Sequence, residues 1–418
     1  MPGWSSYASG VVAVALTATL AAQAGDEPAP DFKASALLPA AALKGPHHLV
    51  AEQVTTQSYF HQFAITSDYG KLEAVGRSQL AIRLSEIQAL AALEEVSKTE
   101  VFLKSAGGAV VNVGKTAAGV VTAPVETAKG IGGGIKRLGV NIGRATKRTA
   151  DSATASDKQG PTEGQDSSAE TAANTVLGVS SAMRRWAEKV KADPYTTNPI
   201  LRQALKDIGQ IDAAGSIATK VVVPIPAVVT TTSSVGSLVW GKDPEELRKL
   251  NEQRAKAIGV APAVAGQFFK NGWFTLTSQT RLIAALDAVK VKGCADYVEA
   301  AARAESEREA LFFVESAEML ERFHARTPTT AILTDSRALV AAQGGKAVAL
   351  LPLDFVRSTA DTREVLGEIA ERARRELGVT QLELHLTGRA SERAAAEMKS
   401  LGWAVTQQVT TPWKDRVG

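Results

Sequence analysis

Residues 107–148 constrain the fold most, because no regular core pattern continues through them. The segment holds ten glycines, seven Lys or Arg and one acid, Glu126, so its net charge is +6. Each glycine inside a helix costs up to about 1 kcal/mol relative to alanine, and Pro124 breaks the segment into two halves. We therefore expect a Gly-rich segment that needs a partner surface before it can order.

The second half of this segment carries one apolar helical face, formed by isoleucine and leucine at helical spacing. The basic residues beside that face favour an anionic lipid surface, near which each Lys or Arg contributes about 1 kcal/mol. Nucleic acid is not an expected partner, because the segment has no aromatic side chain for base stacking. Contact with an anionic membrane surface or with other envelope proteins is predicted for Lys115, Lys129, Ile131, Ile135, Lys136, Arg137, Leu138, Ile142 and Arg144. Packing of the segment on the protein's own helical region is the alternative.

Residues 1–24 are predicted to be a signal peptide. Val11–Ala22 is an apolar run too short to span a bilayer, and Ala22-Gln23-Ala24 is a small-x-small cleavage site. The first ten residues contain no Lys or Arg, so an uncleaved anchor is the alternative. The predicted location is the periplasm or the exterior, with membrane association. The polar, Pro-rich residues 25–47 are predicted to be a disordered leader.

Hydrophobic patterning divides the remaining chain into parts that together predict an α+β, mixed fold. Besides the Gly-rich amphipathic segment, these parts are a small N-terminal sheet plus helix (48–106), a disordered linker (149–174), a helical region (175–326) and a C-terminal α/β unit with a mixed sheet (327–418).

Alternation in the first part predicts a strand at Ser58–Thr66 that places Tyr59, His61, Phe63 and Ile65 on one face. The strands expected beside it are Lys71–Val75 and Leu49–Thr55, and the covering helix is Ser78–Thr99. In the helical region, Cys294–Arg326 is predicted to be one long helix, with a buried strand at Leu311–Val314 as the alternative.

A nucleotide site is disfavoured although Ala109–Thr116 matches a relaxed phosphate-loop pattern. Its loop positions are mostly valine, which resists the required turn conformations. Asp354, a candidate magnesium ligand, follows an apolar run that contains Pro352, which fits badly in a central strand. We therefore predict no bound cofactor.

The sequence also contains no pattern typical of a metal site or of a catalytic nucleophile. None of the five histidines lies at metal-ligand spacing with another ligand, so no metal is expected. The single cysteine, Cys294, permits no intramolecular disulfide, and it begins an amphipathic helix, where a buried, inert thiol is the expected state.

These patterns favour an exported, non-enzymatic envelope protein that associates with a membrane or with other proteins. One alternative is an envelope hydrolase whose site lies at the C-terminal sheet, where Asp335, Asp354, Glu383 and His385 lie at or near strand ends. Another alternative is a membrane-inserting toxin or pore-forming protein.

Overall fold

The computed structural model describes residues 25–97, 181–215, 233–335 and 338–409. The predicted signal peptide, Gly-rich segment and linker lie outside these residues, as do all nine predicted membrane-contact residues. Within the described part the fold is a mixture of helices and mixed sheets, which confirms the predicted α+β class. None of its helices is both long enough and apolar enough to cross a membrane.

The N-terminal sheet is antiparallel and centres on one long strand. Its strands are β1 (Phe32–Lys33), β2 (Lys44–Gly45), β3 (His48–Val50), β4 (Gln53–Gln57), β5 (Phe60–Ser67) and β6 (Gly70–Val75). Strand β5 pairs with β3 and β4 along one edge and with β6 along the other. His61, Phe63 and Ile65 are buried on one face of β5, as the alternation predicts.

Two details of this sheet differ from the prediction. The expected strand Leu49–Thr55 is two strands, β3 and β4, which pair with different parts of β5. Tyr59 precedes β5 and lies in the β4–β5 turn, because Ser58 adopts a left-handed conformation with φ of 53°. The turn therefore presents Tyr59 outside the sheet.

The prediction of a disordered leader at residues 25–47 is wrong for much of that range. Strand β1 pairs with β4, and two one-turn helices follow, α1 (Ala34–Leu37) and α2 (Ala40–Leu43). Ala34, Leu38 and Ala42 are buried in the first hydrophobic core. The prediction gave more weight to the polar, Pro-rich start of the leader than to the small apolar residues that follow it.

The first residues of the leader bind to the C-terminal unit. The Glu27 carboxylate accepts hydrogen bonds from the Ser358 amide, at 2.5 Å, and the Ser391 hydroxyl, at 2.6 Å. The Asp26 carboxylate accepts from the Ala360 amide, at 2.7 Å. Ala360 and Ser391 stand at helix N-termini, where unpaired N–H groups and the helix dipole favour carboxylates.

Nine helices lie between the N-terminal sheet and the C-terminal unit within the described residues. They are α3 (Arg77–Ser97), α4 (Ser181–Lys189), α5 (Pro199–Gly215), α6 (Ser233–Gly241), α7 (Pro244–Ala257), α8 (Pro262–Lys270), α9 (Leu276–Val289), α10 (Cys294–Ala301) and α11 (Glu307–Arg326). Several begin at a capping residue. Asp243, for example, accepts the Glu246 N–H as the N-cap of α7.

The single helix predicted for Cys294–Arg326 is wrong. Helix α10 ends at Ala301, and α11 begins after Ser306, whose hydroxyl accepts the Glu309 N–H. This serine cap, with acids in the first turn of α11, starts a new helix. Leu311–Val314 lie inside α11, so the strand alternative is also wrong.

The C-terminal unit is built on a five-stranded mixed sheet. Its elements are β7 (Ala331–Asp335), β8 (Ala338–Gln343), β9 (Lys346–Leu351), β10 (Phe355–Val356), α12 (Ala360–Leu377), β11 (Gln381–Leu386), β12 (Arg389–Ala390), α13 (Glu392–Ser400) and β13 (Trp403–Thr406). The sheet order is β13-β11-β9-β8-β7, and β9, β11 and β13 run parallel. Helices α12 and α13 connect these parallel strands.

This sheet is buried on both faces. Leu339 and Val348 belong to a core shared with α7 to α11, whereas Val340 and Ala349 belong to a core shared with α12 and α13. The alternation of side chains along each strand produces this division. The result is a three-layer arrangement with helices on either side of the sheet.

Candidate functional site

The β4–β5 turn of the N-terminal sheet joins the C-terminal unit directly. The amides of Asp354 and Phe355 both donate to the Tyr59 carbonyl oxygen, at 3.1 Å. The Tyr59 hydroxyl donates to the Asp361 carboxylate at the start of α12, also at 3.1 Å. Tyr59 and Phe60 pack against the core of the C-terminal unit. We call this contact region the junction.

Asp354, a sequence candidate for metal binding and for catalysis, is a buried acceptor in the junction. Its carboxylate accepts from the backbone amide of His61 and from both the amide and the Nε of Arg77. Only 4% of the Asp354 side chain is exposed. The carboxylate thus fastens β5 and α3 to the C-terminal unit, and this role satisfies both of its oxygens.

A cavity of about 500 Å³ lies in the junction, between the β4–β5 turn, the first turns of α11 and the helices α12 and α13. Its apolar wall is formed by Phe60, Val75, Phe312, Leu351, Leu353, Val356, Val365, Leu366, Ile369 and Met398. Polar groups of Gln57, Gln62, Ser306 and Glu309 lie among them. We call this space the junction cavity.

Arg308 is the charged group most deeply placed in the cavity wall, with 9% of its surface exposed. Its Nη1 donates to the Ser78 hydroxyl at 2.7 Å, and its Nη2 donates to the Glu315 carboxylate at 2.9 Å. Its buried Nε has no hydrogen-bond partner among the described residues. A buried donor without a partner costs free energy, so this nitrogen is a local weakness in the packing around the cavity.

A second, smaller cleft of about 60 Å³ lies between α3, α9 and α11 and is polar. Asp193 is its central group. The Asp193 carboxylate accepts from the Thr277 hydroxyl at 2.6 Å and from the Tyr195 amide at 2.8 Å. Burial raises the pKa of Asp193 to about 6. Three lining residues of the cleft belong to ion pairs, namely Arg83–Glu86, Arg83–Glu307 and Arg281–Glu318.

This polar cleft has room for little more than ordered water. The nearby serine and threonine hydroxyls serve local structure, since Thr275 caps α9 and Thr277 holds Asp193. Asp193 exchanges a proton near neutral pH, but its described neighbours do not include an activated nucleophile. The cleft therefore has one feature of a catalytic site without the others.

The residues of the hydrolase hypothesis lie in different surroundings. His385 contacts the Phe323 ring of α11 and lies 3.7 Å from Glu383, whose carboxylate also pairs with Lys346. Burial lowers the pKa of His385. Asp354 instead faces Arg77 and His61 in the junction. The side chain of Asp335 lies outside the description.

Cys294 is buried at the start of α10, as predicted from the sequence, and burial raises the pKa of its thiol. No group of three or more potential metal ligands occurs within the described ranges.

Sequence reasoning missed the junction cavity because its wall comes from four distant stretches of chain. Arg308 and Glu315 are separated by two helical turns and share a face of α11, where they form a salt bridge. Helical ion pairs are ordinarily anticipated at a spacing of three or four residues, so this pair gave no local signal.

Comparisons of the chain with protein-family models, curated proteins and solved structures gave no match.

Proposed function

We propose that the protein is a non-enzymatic binding protein that holds an apolar small molecule in the junction cavity. The cavity itself carries the proposal. Its volume of about 500 Å³ lies within the range of about 300–1,000 Å³ typical of ligand sites. A mostly apolar wall with a few placed polar groups, located where two parts of a protein meet, is also typical of such sites.

The ligand's chemistry is argued from the wall. Apolar side chains select a hydrocarbon-rich molecule, because burial of apolar surface supplies most of the binding free energy. The guanidinium of Arg308 in the cavity wall favours a ligand with an anionic or hydrogen-bond-accepting group, such as a carboxylate or carbonyl oxygen. A fatty acid or a similar amphiphile combines both features.

The proposal also includes a location in the cell envelope, as the sequence predicts. An exported envelope protein would meet amphiphiles at the membrane, and the predicted membrane-contact residues in 107–148 would hold it there. Export and attachment through that segment are tested by fractionating cells that express the full chain and a chain without the segment. Recovery of both chains in the cytoplasm would contradict this part.

Binding is tested with cis-parinaric acid, a fluorescent fatty acid, added to the full chain. Val365→Phe enlarges a side chain in the cavity wall and should lower the affinity at least about tenfold. Val379→Phe is the matched control, because Val379 is equally buried in the same core but does not line the cavity. Far-ultraviolet circular dichroism checks that both variants fold.

The polar part is tested by Arg308→Lys, which keeps a cation beside Glu315 but removes the guanidinium. This change should weaken binding of the fatty acid more than binding of a hydrocarbon of equal length. Equal affinity of the parent and of Val365→Phe for the probe would overturn the cavity as the site.

A further inference from the structure

A surface groove of about 870 Å³ lies on the helical region, between α7, α8 and α9, and is distinct from the junction cavity. Its apolar floor is formed by Val260, Pro262, Ala265, Phe269, Phe274 and Leu276. We call this feature the helical groove. Pro262, Ala265 and Phe269 are at least partly exposed, whereas Val260, Phe274 and Leu276 are buried. Exposed apolar surface is common where a protein meets another molecule.

Three cations and one acid surround the floor. Arg248, Lys256 and Lys270 line the groove, as does Glu252. None of the three cations has a carboxylate within ion-pair distance among the described residues, although neighbouring cations do, as in Lys249–Glu245 and Arg254–Asp287. The groove therefore carries excess positive charge beside apolar surface.

The helix dipole explains the positions of only two of these three cations. Lys256 and Lys270 lie in the last turns of α7 and α8, where a cation offsets the helix dipole. Arg248 lies in the second turn of α7, nearer its N-terminus, where the dipole does not favour a cation. All three still face one groove with unpaired charge, which complements an anion.

One exposed tryptophan lies next in sequence to residues of the groove, and its own side chain lines the polar cleft between α3, α9 and α11. Trp273 has 42% of its surface exposed and is one of two large hydrophobic side chains so exposed in the described part of the chain. Its neighbours Asn271 and Phe274 line the groove. An indole ring favours the interface between water and lipid, because it is apolar with a polar N–H.

We propose that the helical groove docks an anionic phospholipid at a membrane surface. The apolar floor receives the upper part of an acyl chain, the phosphate lies among Arg248, Lys256 and Lys270, and Trp273 enters the interfacial layer. The charges and the floor carry this proposal independently of the junction cavity and of residues 107–148.

The test is co-sedimentation of the full chain with vesicles of phosphatidylcholine, with and without phosphatidylglycerol. Changing Arg248, Lys256 and Lys270 together to Gln should lower the affinity for anionic vesicles on the order of a hundredfold, since each cation contributes about fivefold near such a surface. The matched control changes the exposed Lys33, Lys44 and Lys71 of the N-terminal sheet to Gln, which gives the same net charge.

The control should lose far less affinity than the groove variant. Equal losses in the two triple variants would overturn the proposal, as would equal binding to vesicles with and without phosphatidylglycerol.

Tryptophan fluorescence gives a second readout. Anionic vesicles should shift the emission of the parent to the blue, and Trp273→Phe should remove much of that shift; a full shift in the variant would contradict the placement of Trp273. The groove variant and Trp273→Phe should both bind cis-parinaric acid in the junction cavity as tightly as the parent does.

Discussion

The guanidinium of Arg308 lies over the ring of Phe60, with 4.5 Å between its central carbon and the ring centre. The same guanidinium binds Ser78 on α3 and Glu315 on α11. One buried cation therefore joins the N-terminal sheet, its covering helix and the helix that lies against the C-terminal sheet. The stability of the junction therefore depends on this residue.

Arg308→Met should destabilise the fold by about 3–5 kcal/mol, because it removes the ion-pair partner of the buried Glu315 carboxylate. Urea unfolding measures the free energy of unfolding. Arg303→Met, which removes an exposed pair with Glu299, serves as the control and should have little effect. Arg308→Met combined with Glu315→Leu should recover much of the lost stability, and failure to recover any would contradict this account.

Asp193 should make stability fall as pH rises from about 4 to about 6. Its pKa is raised to about 6 in the folded protein, against about 4 in an unfolded chain, so within that window only the folded state holds the proton. The proton's contribution is complete below about pH 4 and is lost above about pH 6. Asp193→Asn should flatten this part of the profile, as measured by urea unfolding at several pH values. An identical profile in the variant would exclude Asp193 as the cause.

Gly388 should not tolerate a side chain. A Cβ atom there would lie 1.9 Å from the carbonyl oxygen of Asp354, which is backbone and cannot move aside cheaply. Gly388→Ala should cost about 1–3 kcal/mol or more. Gly367→Ala is the control, because its Cβ would meet only the tip of Leu401 at 3.9 Å. Inside α12 that change should stabilise by up to about 1 kcal/mol. Thermal unfolding of both variants should move in opposite directions.

The Cys294 thiol should react with a disulfide reagent only when the chain unfolds. The side chain is 1% exposed and burial raises the pKa of the thiol, so little thiolate is available. The rate in native buffer should follow the unfolding equilibrium and should rise sharply in concentrated guanidinium chloride. Prompt reaction of the native chain would show that the start of α10 opens locally.

The elements that can be predicted from the sequence are those whose signals lie within a few neighbouring residues. Asp243 and Pro244 mark the start of α7, Gly378 marks the end of α12 with a left-handed conformation, and alternating leucines mark β11. Each signal acts through local hydrogen bonds or side-chain direction, which the adjacent sequence determines.

The missed features depend on partners far along the chain. Phe32 looks like part of a polar leader, yet its ring packs edge-on against Phe355 at 5.0 Å and against His61 at 4.8 Å. The junction cavity needs Tyr59, Arg308 and Val365 to meet, and no local pattern brings them together. The break between α10 and α11 was missed for a different reason. Its signal, the Ser306 cap, is local, but a continuous helical pattern across it led to the prediction of a single helix.

The contact between Glu27 and Ser358 affects how the chain is able to fold. These residues are 331 positions apart in sequence, so the leader's partners are made almost last during synthesis. Contacts between residues so far apart in sequence form slowly, because the long loop must close before they contribute. During synthesis β1, α1 and α2 are therefore able to pack within the N-terminal sheet first, whereas Glu27 meets its partners only after the C-terminal unit has been made.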